Sequence, residues 1–374
     1  MQKRTIILGD YDTAAHGWTL AGWELSPAKY RQNFVEVPGM DGPLDLSTVL
    51  GGRPVYDTRT LTATLECSEG TRLEREAIID VMVNRLTGQR MAIVLPDDPL
   101  HHITGRVEVA KNYNDPAHAA VTVTAICGPW REAMEETVEF VPLCGKNLFD
   151  NQNLVSIIKN HGEATTIDTG VRSTVVQAGT WRYDLLRVLP TKMLAGKTIT
   201  LSYTAVASAA NTPRVCLGYA DASGEYRVQE AISLAYADAL TLTVDPAHLS
   251  EADYVAIWLY ANHTGTGNAG DYIDFTNLQL EIGAQATSFD PYTAMGEKEE
   301  KEVHLVNDQR RTVCPTVIVQ GEVTLGYSAA GGATFQALST GTYRLPGLQL
   351  GTGEQTVSVS GTGAVAFTYR KAGL

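Results

Sequence analysis

Apolar and polar residues alternate along most of this chain with a period of two, the spacing that puts one side of an extended strand in a core and the other in water. Leu61–Leu65, Val107–Val109, Val121–Ala125, Ile199–Tyr203 and Val357–Val359 all follow it, and Gly, Pro, Asn and Asp punctuate the intervals. The pattern predicts a mainly β protein. One segment departs from it: between Arg72 and Leu86 the residues Leu73, Ala77, Val81, Met82 and Leu86 recur at helical spacing. Thr71 precedes this segment as an N-cap, Glu74 stands where a capping box requires it, and Gly88 follows as a stop. The helix is expected to cover one face of a sheet.

Composition shifts twice along the chain. A first block, residues 1–129, ends at Pro129 and Trp130 and holds the helix. A second, residues 146–292, opens on Lys146, Asn147, Leu148 and Phe149 and closes on Phe289, Asp290, Pro291 and Tyr292. The strand pattern of Thr137–Val141 resembles that of Lys301–Val306, so the middle block reads as an insertion that splits a third domain into residues 130–145 and 293–374. The termini of an inserted block should lie close together. The charged run Glu297–Glu302 is expected to be a solvated connection.

Charge and cysteine content narrow the classes of function. With 29 Lys+Arg against 42 Asp+Glu the formal net charge is -13, so the surface repels phosphate backbones and no nucleic-acid partner is expected. The apolar run Thr5–Leu8 is too short for a secretory signal, and no segment is long enough for a membrane span, so synthesis in the cytoplasm and no membrane partner are expected. The five cysteines, Cys67, Cys127, Cys144, Cys216 and Cys314, form no C-x-x-C pair and read as buried reduced thiols.

The first block resembles the distal tail proteins of long-tailed bacteriophages. The resemblance rests on Val35, Pro38, Gly39, Asp41, Gly42 and Asp45, on Tyr56 and Arg59 to Leu65, on Leu86 to Gly88, on Leu95 to Pro99 with Gly105 to Val107, and on Val121 to Pro129. In the turn, Pro38 fixes φ while Gly39 and Gly42 permit positive φ, so the chain can reverse between strands. Residues Val306 to Asp308, Pro315 to Val319, Gly341 to Leu345 and Gly351 to Gly361 resemble the C-terminal galectin-like β-sandwich of that family, with Ala366–Arg370 as its last strand. The middle block, through Lys146–Phe149, Leu278–Gly283 and Ala286–Tyr292, resembles a jelly-roll carbohydrate-binding module. The resemblance implies a structural component of the virion's tail tip. It implies a hexameric ring of copies of this chain, with a tail tube protein and a tail tip or tail-associated lysin protein as neighbours, and a module that holds host cell-surface polysaccharide. An alternative is a purely structural ring whose insertion binds another tail protein. An accessory region of a glycan-active enzyme is the remaining one.

Candidate chemistry is confined to aromatic residues. In Asp253–Tyr260, Val255, Ile257 and Leu259 alternate with Tyr254, Trp258 and Tyr260, so an aliphatic core side leaves the aromatic set on a solvent-facing or concave surface, as in sugar-stacking platforms. Trp181 and Tyr183 form a second candidate pair, with Arg182 and Asp184 on the reverse face; either set could instead fill the sandwich interior. Gly265, Gly267 and Gly270 match a dinucleotide fingerprint, but a strand pattern follows where a helix is required, so a glycine-rich hairpin loop is expected. The carboxylate pairs Asp97–Asp98, Glu135–Glu136 and Glu299–Glu300 point apart on an extended chain, as do His101 and His102, so neither glycosidase acids nor metal ligands are set up there. No cofactor and no enzymatic activity are expected, and no ligand set for calcium stands out.

Overall fold

A computed structural model describes residues 5–49, 53–67, 70–112, 119–209, 211–264, 267–296, 299–329 and 331–374. Packing divides the chain into two compact units: Met1–Glu136 with Asn307–Thr312 and Arg370–Leu374, and Thr137–Val306 with Val313–Tyr369. Both are built from strands, as the period of two predicts.

The first unit runs through β1 (Ile7–Leu8), β2 (Tyr11–Asp12), β3 (Thr19–Leu25), β4 (Phe34–Val35), β5 (Leu44–Asp45), β6 (Arg59–Cys67), α1 (Arg72–Leu86), β7 (Arg90–Leu95), β8 (Asp98–Asn112) and β9 (Ala119–Ala133). Its main sheet has the order β2-β1-β7-β8-β9-β6-β3, and Ala372–Gly373, at the end of the chain, also pairs with β9. The helix keeps its expected bounds: Thr71 Oγ1 accepts from the Glu74 amide at 3.3 Å while Glu74 Oε2 accepts from the Thr71 amide at 2.6 Å. Its buried residues are Ile79, Met82 and Leu86, whereas Leu73 is 81% exposed and Ala77 and Val81 also face water. Two apolar rows run along this helix, and the spacing alone does not choose between them; contact with the sheet selects the row of Ile79.

The reversal at Gly39 and Gly42 is present, with φ of 90° and 92°, and joins the two-stranded β4–β5 hairpin. Phe34, Val35, Met40 and Leu44 are all exposed on it. Strand β9 extends beyond the block boundary expected at residue 129. Pro129, which has no amide proton to give, falls where the register between β8 and β9 shifts between Ile103 and Gly105.

The second unit begins with β10 (Thr137–Leu143) and continues through β11 (Ser156–Asn160), β12 (Gly162–Ile167), β13 (Gly170–Val175), β14 (Arg182–Pro190), β15 (Thr198–Ala207), β16 (Arg214–Ala220), β17 (Arg227–Ser233), β18 (Ala237–Thr243), β19 (Tyr254–Asn262) and β20 (Tyr272–Ile282). These last ten strands form two five-stranded sheets, β11-β14-β19-β16-β17 and β12-β13-β20-β15-β18. Val171, Ile199, Leu201, Ile273 and Phe275 on one sheet meet Leu186, Val215, Val255, Ile257 and Leu259 on the other, each contributing about 1.5–3 kcal/mol through burial. After it come β21 (Glu300–Asn307), β22 (Thr316–Gln320), β23 (Val323–Ala329), β24 (Gly332–Leu338), β25 (Gly341–Arg344), β26 (Gly353–Gly361) and β27 (Gly363–Tyr369). They form the sheets β10-β27-β22-β25 and β21-β26-β23-β24 around Leu143, Leu305, Val317, Leu325, Val359 and Phe367.

Two expectations change here, the charged connection and the burial of the cysteines. Glu300 to Glu302 belong to β21 and are not a connection, and Glu297 and Lys298 lie outside the described residues. As expected, the last strand of the C-terminal sandwich covers Ala366–Tyr369, within β27. Of the five cysteines, Cys144 and Cys314 are only half-buried, although all five are free thiols.

The start and end of the middle block are fastened to each other. Buried Asn147 accepts from the amides of Phe149 and Leu280 and donates to the carbonyl of Leu278. The Leu148 amide donates to Leu280 O at 2.7 Å, and Lys146 Nζ donates to Ser288 O. Buried Gln279 and Glu281 complete the knot: Glu281 accepts from Thr287 and Gln279, and Gln279 accepts from the Asp290 amide. Just outside it, the Gly145 amide donates to Thr293 O and the Met295 amide to Leu143 O, so the entering and leaving chains run side by side. The two sandwiches also share apolar packing, since Val138, Ile318, Ala364 and Ala366 belong to the same cluster as Leu148, Phe149 and Leu186.

Candidate functional site

The aromatic candidates lie on the sheet β11-β14-β19-β16-β17, on the side away from the aliphatic core. Register brings three of the site's side chains into one row: Tyr183 of β14 and Arg214 of β16 both stand opposite Tyr260 of β19. Trp258 stands opposite Leu185 and Cys216, one step along the same face. This second face is not bare. Trp258 is 2% exposed and Tyr260 3%, sealed with Leu185, Cys216, Ala220 and Ala256 and flanked by Ile157 and Ile158. The expectation of solvent-facing Trp258 and Tyr260 is therefore corrected: the alternation is right, but a small second core covers both. Burial also pushes the Cys216 thiol up to about 11.

The surface opens at Trp181, which is 50% exposed. Trp181 precedes β14 and has φ 57°, a left-handed conformation costly for a large side chain, so its place does not follow from strand alternation with Tyr183. Asn160 holds it by donating from Nδ2 to the Trp181 carbonyl at 2.7 Å. Arg182 turns back to the carbonyls of Gln177 and Ala178, and Asp184 is buried, accepting from Ser156 Oγ and the Ala164 amide. Burial raises the Asp184 carboxyl above its ordinary range, against the pull of those hydrogen bonds.

Around Trp181 the rings meet edge to face. Its centroid lies 6.1 Å from that of Tyr260 and 6.2 Å from that of His263, and Tyr183 and Tyr260 are 4.9 Å apart. The Arg214 guanidinium carbon sits 5.3 Å from the Trp181 centroid and 5.2 Å from that of Tyr260. Gln229 donates to the Tyr260 hydroxyl at 3.0 Å and accepts from Arg214 Nη2 at 3.0 Å, while Arg227 donates to the Tyr183 hydroxyl at 3.3 Å. Gly218 permits this closeness: a Cβ there would lie 2.0 Å from the Val228 carbonyl oxygen, and the register shift beside it sets Gln229 opposite Gly218. His263 Nδ1 lies 3.0 Å from Thr212 O, and burial keeps the imidazole below its usual pKa.

No protein-family model matches the chain, and no curated protein matches it. Solved structures do. The crystal structure of the SPP1 Dit protein, described as a paradigm of the hub adsorption apparatus in phages infecting Gram-positive bacteria, is similar with TM-score 0.37 and 11% identity, covering 98% of each chain. A chain of the phage p2 baseplate in its activated conformation with Sr is similar with TM-score 0.28 and 11% identity, over 75% of this chain and 98% of that one. Its counterpart with Ca gives TM-score 0.26 and 12% identity, over 76% and 99%.

Tyr254 stands apart from the cluster, at the other end of β19, roughly 20 Å from Tyr260 at the usual strand rise. It lies under Arg187, whose guanidinium carbon is 5.2 Å from the ring. The structure thus gathers Trp181, Tyr183 and Tyr260, seals Trp258 beneath them and leaves Tyr254 elsewhere. Arg214, Gln229, Arg227 and His263 went unnoticed in the sequence. Arg214 is two residues before Cys216 on a period-two strand, but only the pairing with β19 places it beside an aromatic ring. Of the glycine-rich segment, Gly265 lies outside the described residues, and Gly267 and Gly270 fall between β19 and β20, strands of two different sheets, so no hairpin closes there.

Elsewhere, His101 and His102 diverge, the first to Asp98 and the second toward Glu132. Among the described residues no group of three or more His, Cys, Asp or Glu could hold a metal ion, and no helix is long and apolar enough to cross a membrane. What remains is an exposed indole, a guanidinium and hydrogen-bonding groups on a rigid sheet. Such a surface stacks on the apolar face of a flat ligand and hydrogen-bonds to its rim.

Proposed function

We propose that the chain is a structural distal tail protein at the tail tip of a long-tailed phage. In this reading the first unit closes a hexameric ring between tail tube and tip, and residues 146–292 form an inserted jelly roll that holds host cell-surface polysaccharide. The order of the motifs from Val35 to Pro129 supports the assembly role. So do two exposed apolar surfaces, the row Leu73, Ala77 and Val81 and the β4–β5 hairpin, which a head-to-tail neighbour would cover. Strands β13 to β20 follow the jelly-roll order β13-β20-β15-β18 over β14-β19-β16-β17. The observation that carries the glycan role is the exposed indole of Trp181 beside Tyr260, Arg214 and His263.

One such site holds a sugar weakly, with Kd on the order of 1 mM, or about -4 kcal/mol. Copies displayed on one ring gain about a hundredfold or more through effective concentration. Light scattering and electron microscopy of the full chain, alone and with the tail tube protein, test the ring; a stable two-fold dimer as the only assembly would refute it. Binding to purified host cell-wall polysaccharide tests the module. Ring formation with no polysaccharide binding would instead favour a module that docks on another tail protein.

A further inference from the structure

We infer that the site around Trp181 selects saccharides bearing an anionic group, a carboxylate or a phosphate, received by Arg214 while the indole stacks on the sugar ring. This rests on the glycan-holding reading proposed above.

The argument begins with charge. Carboxylates outnumber cationic side chains by 42 to 29 in the chain. Two other arginines over rings pair with a carboxylate: Arg172, 3.8 Å from the Tyr272 centroid, with Asp274 at 2.6 Å, and Arg85, over Tyr11, with Asp10 at 2.6 Å; Arg187, over Tyr254, forms no ion pair among the described residues. Arg214 and Arg227 both reach the cluster, and among the described residues neither forms an ion pair.

Arg214 is also incompletely used. Its Nη2 serves Gln229 and its buried Nε is closed to solvent, so an anion meets the Nη1 and Nη2 end of the fork. A guanidinium offers five N–H donors in a planar fork that fits a carboxylate or phosphate with two parallel bonds. The rings of Trp181 and Tyr260 hold that fork in place, so little side-chain freedom is lost when an anion arrives. A stacking surface with a fixed fork at its edge suits a charged sugar better than a neutral one.

The test measures binding of the full-length protein to polygalacturonate, to poly(glycerol phosphate) and to the neutral polymers dextran and amylose, each at low and high salt. Expected is tighter binding of one or both anionic polymers by about tenfold or more, weakened by salt. Which of the two binds distinguishes carboxylate from phosphate. Arg214→Met should erase the preference and Arg214→Lys should keep part of it, which guards against a merely unfolded variant. Trp181→Asn, chosen because asparagine tolerates positive φ, should abolish binding to all polymers. Equal binding of neutral and anionic polymers, insensitive to Arg214→Met yet lost in Trp181→Asn, overturns this inference and leaves the glycan reading intact. Absence of any Trp181-dependent binding overturns both.

Discussion

Trp258 and Trp181 belong to the same side of one sheet and meet opposite fates. Trp258 lies mid-strand, opposite Leu185 and Cys216, and is sealed; Trp181 lies just before a strand, in a left-handed turn, and half of it faces water. An alternating pattern assigns a residue to a face, but whether the face is wet depends on what the rest of the chain lays over it. In the proposed reading, surface binding falls to the residue that leaves the strand pattern, as loops and strand ends often carry function on a rigid scaffold.

Removing the region altogether gives the largest expected effect. Deleting residues 146–292 and joining the flanking strands should cost soluble expression, because Val138, Ile318, Ala364 and Ala366 would lose their apolar cover; a soluble, folded remainder would mean that the seam between the sandwiches contributes little. Next comes Trp258→Ala, expected to destabilise by about 3–5 kcal/mol in chemical denaturation. A loss near zero would show the sealed end to be as open as the Trp181 end.

Two buried carboxylates sharpen the comparison with opposite signs. At Glu281 burial works against ionisation, but hydrogen bonds from Thr287 and Gln279, with Lys146 nearby, outweigh it and hold the carboxyl below its ordinary range. Its stabilising contribution is therefore present above the unfolded carboxylate pKa and lost as pH falls through the folded one. Glu281→Gln should cost about 1–3 kcal/mol at neutral pH and less in acid, measured by thermal melts. Asp184, raised by burial, works the other way: stability falls as pH rises from the unfolded value through the folded one. Asp184→Asn should raise Tm at neutral pH more than at pH 4; an equal shift at both would show that Asp184 ionises freely. The smallest effect is on Trp181→Asn, whose stability should stay within about 0.5 kcal/mol of the parent, making it the one substitution that separates binding from folding.

Much of the fold was legible. The capping residues Thr71 and Glu74 and the stop at Gly88 set the helix, and the strands at Leu61, Val121, Ile199 and Val357 follow their period. The orientation of the helix was not, since Leu73, Ala77 and Val81 form as plausible a stripe as Ile79, Met82 and Leu86. The candidate site was half legible. Its aromatic members announce themselves, but Arg214, Gln229 and His263 join them through pairing between strands distant in sequence, and Trp181 through a backbone conformation that composition does not encode.

The side-by-side entry and exit of the middle sandwich, at Leu143–Gly145 and Thr293–Met295, bears on how that region would carry load. A domain strung between its neighbours transmits tension from one end of its chain to the other and unravels when that tension exceeds its weakest hydrogen-bonded pair. Here a pull applied at Trp181 would leave through two adjacent, hydrogen-bonded tethers that run into β10 and β21, one in each sheet of the same sandwich, and share the force in parallel. No tension would run from Lys146 to Tyr292 across the fold, so the sandwich could be tugged without being drawn open from its ends.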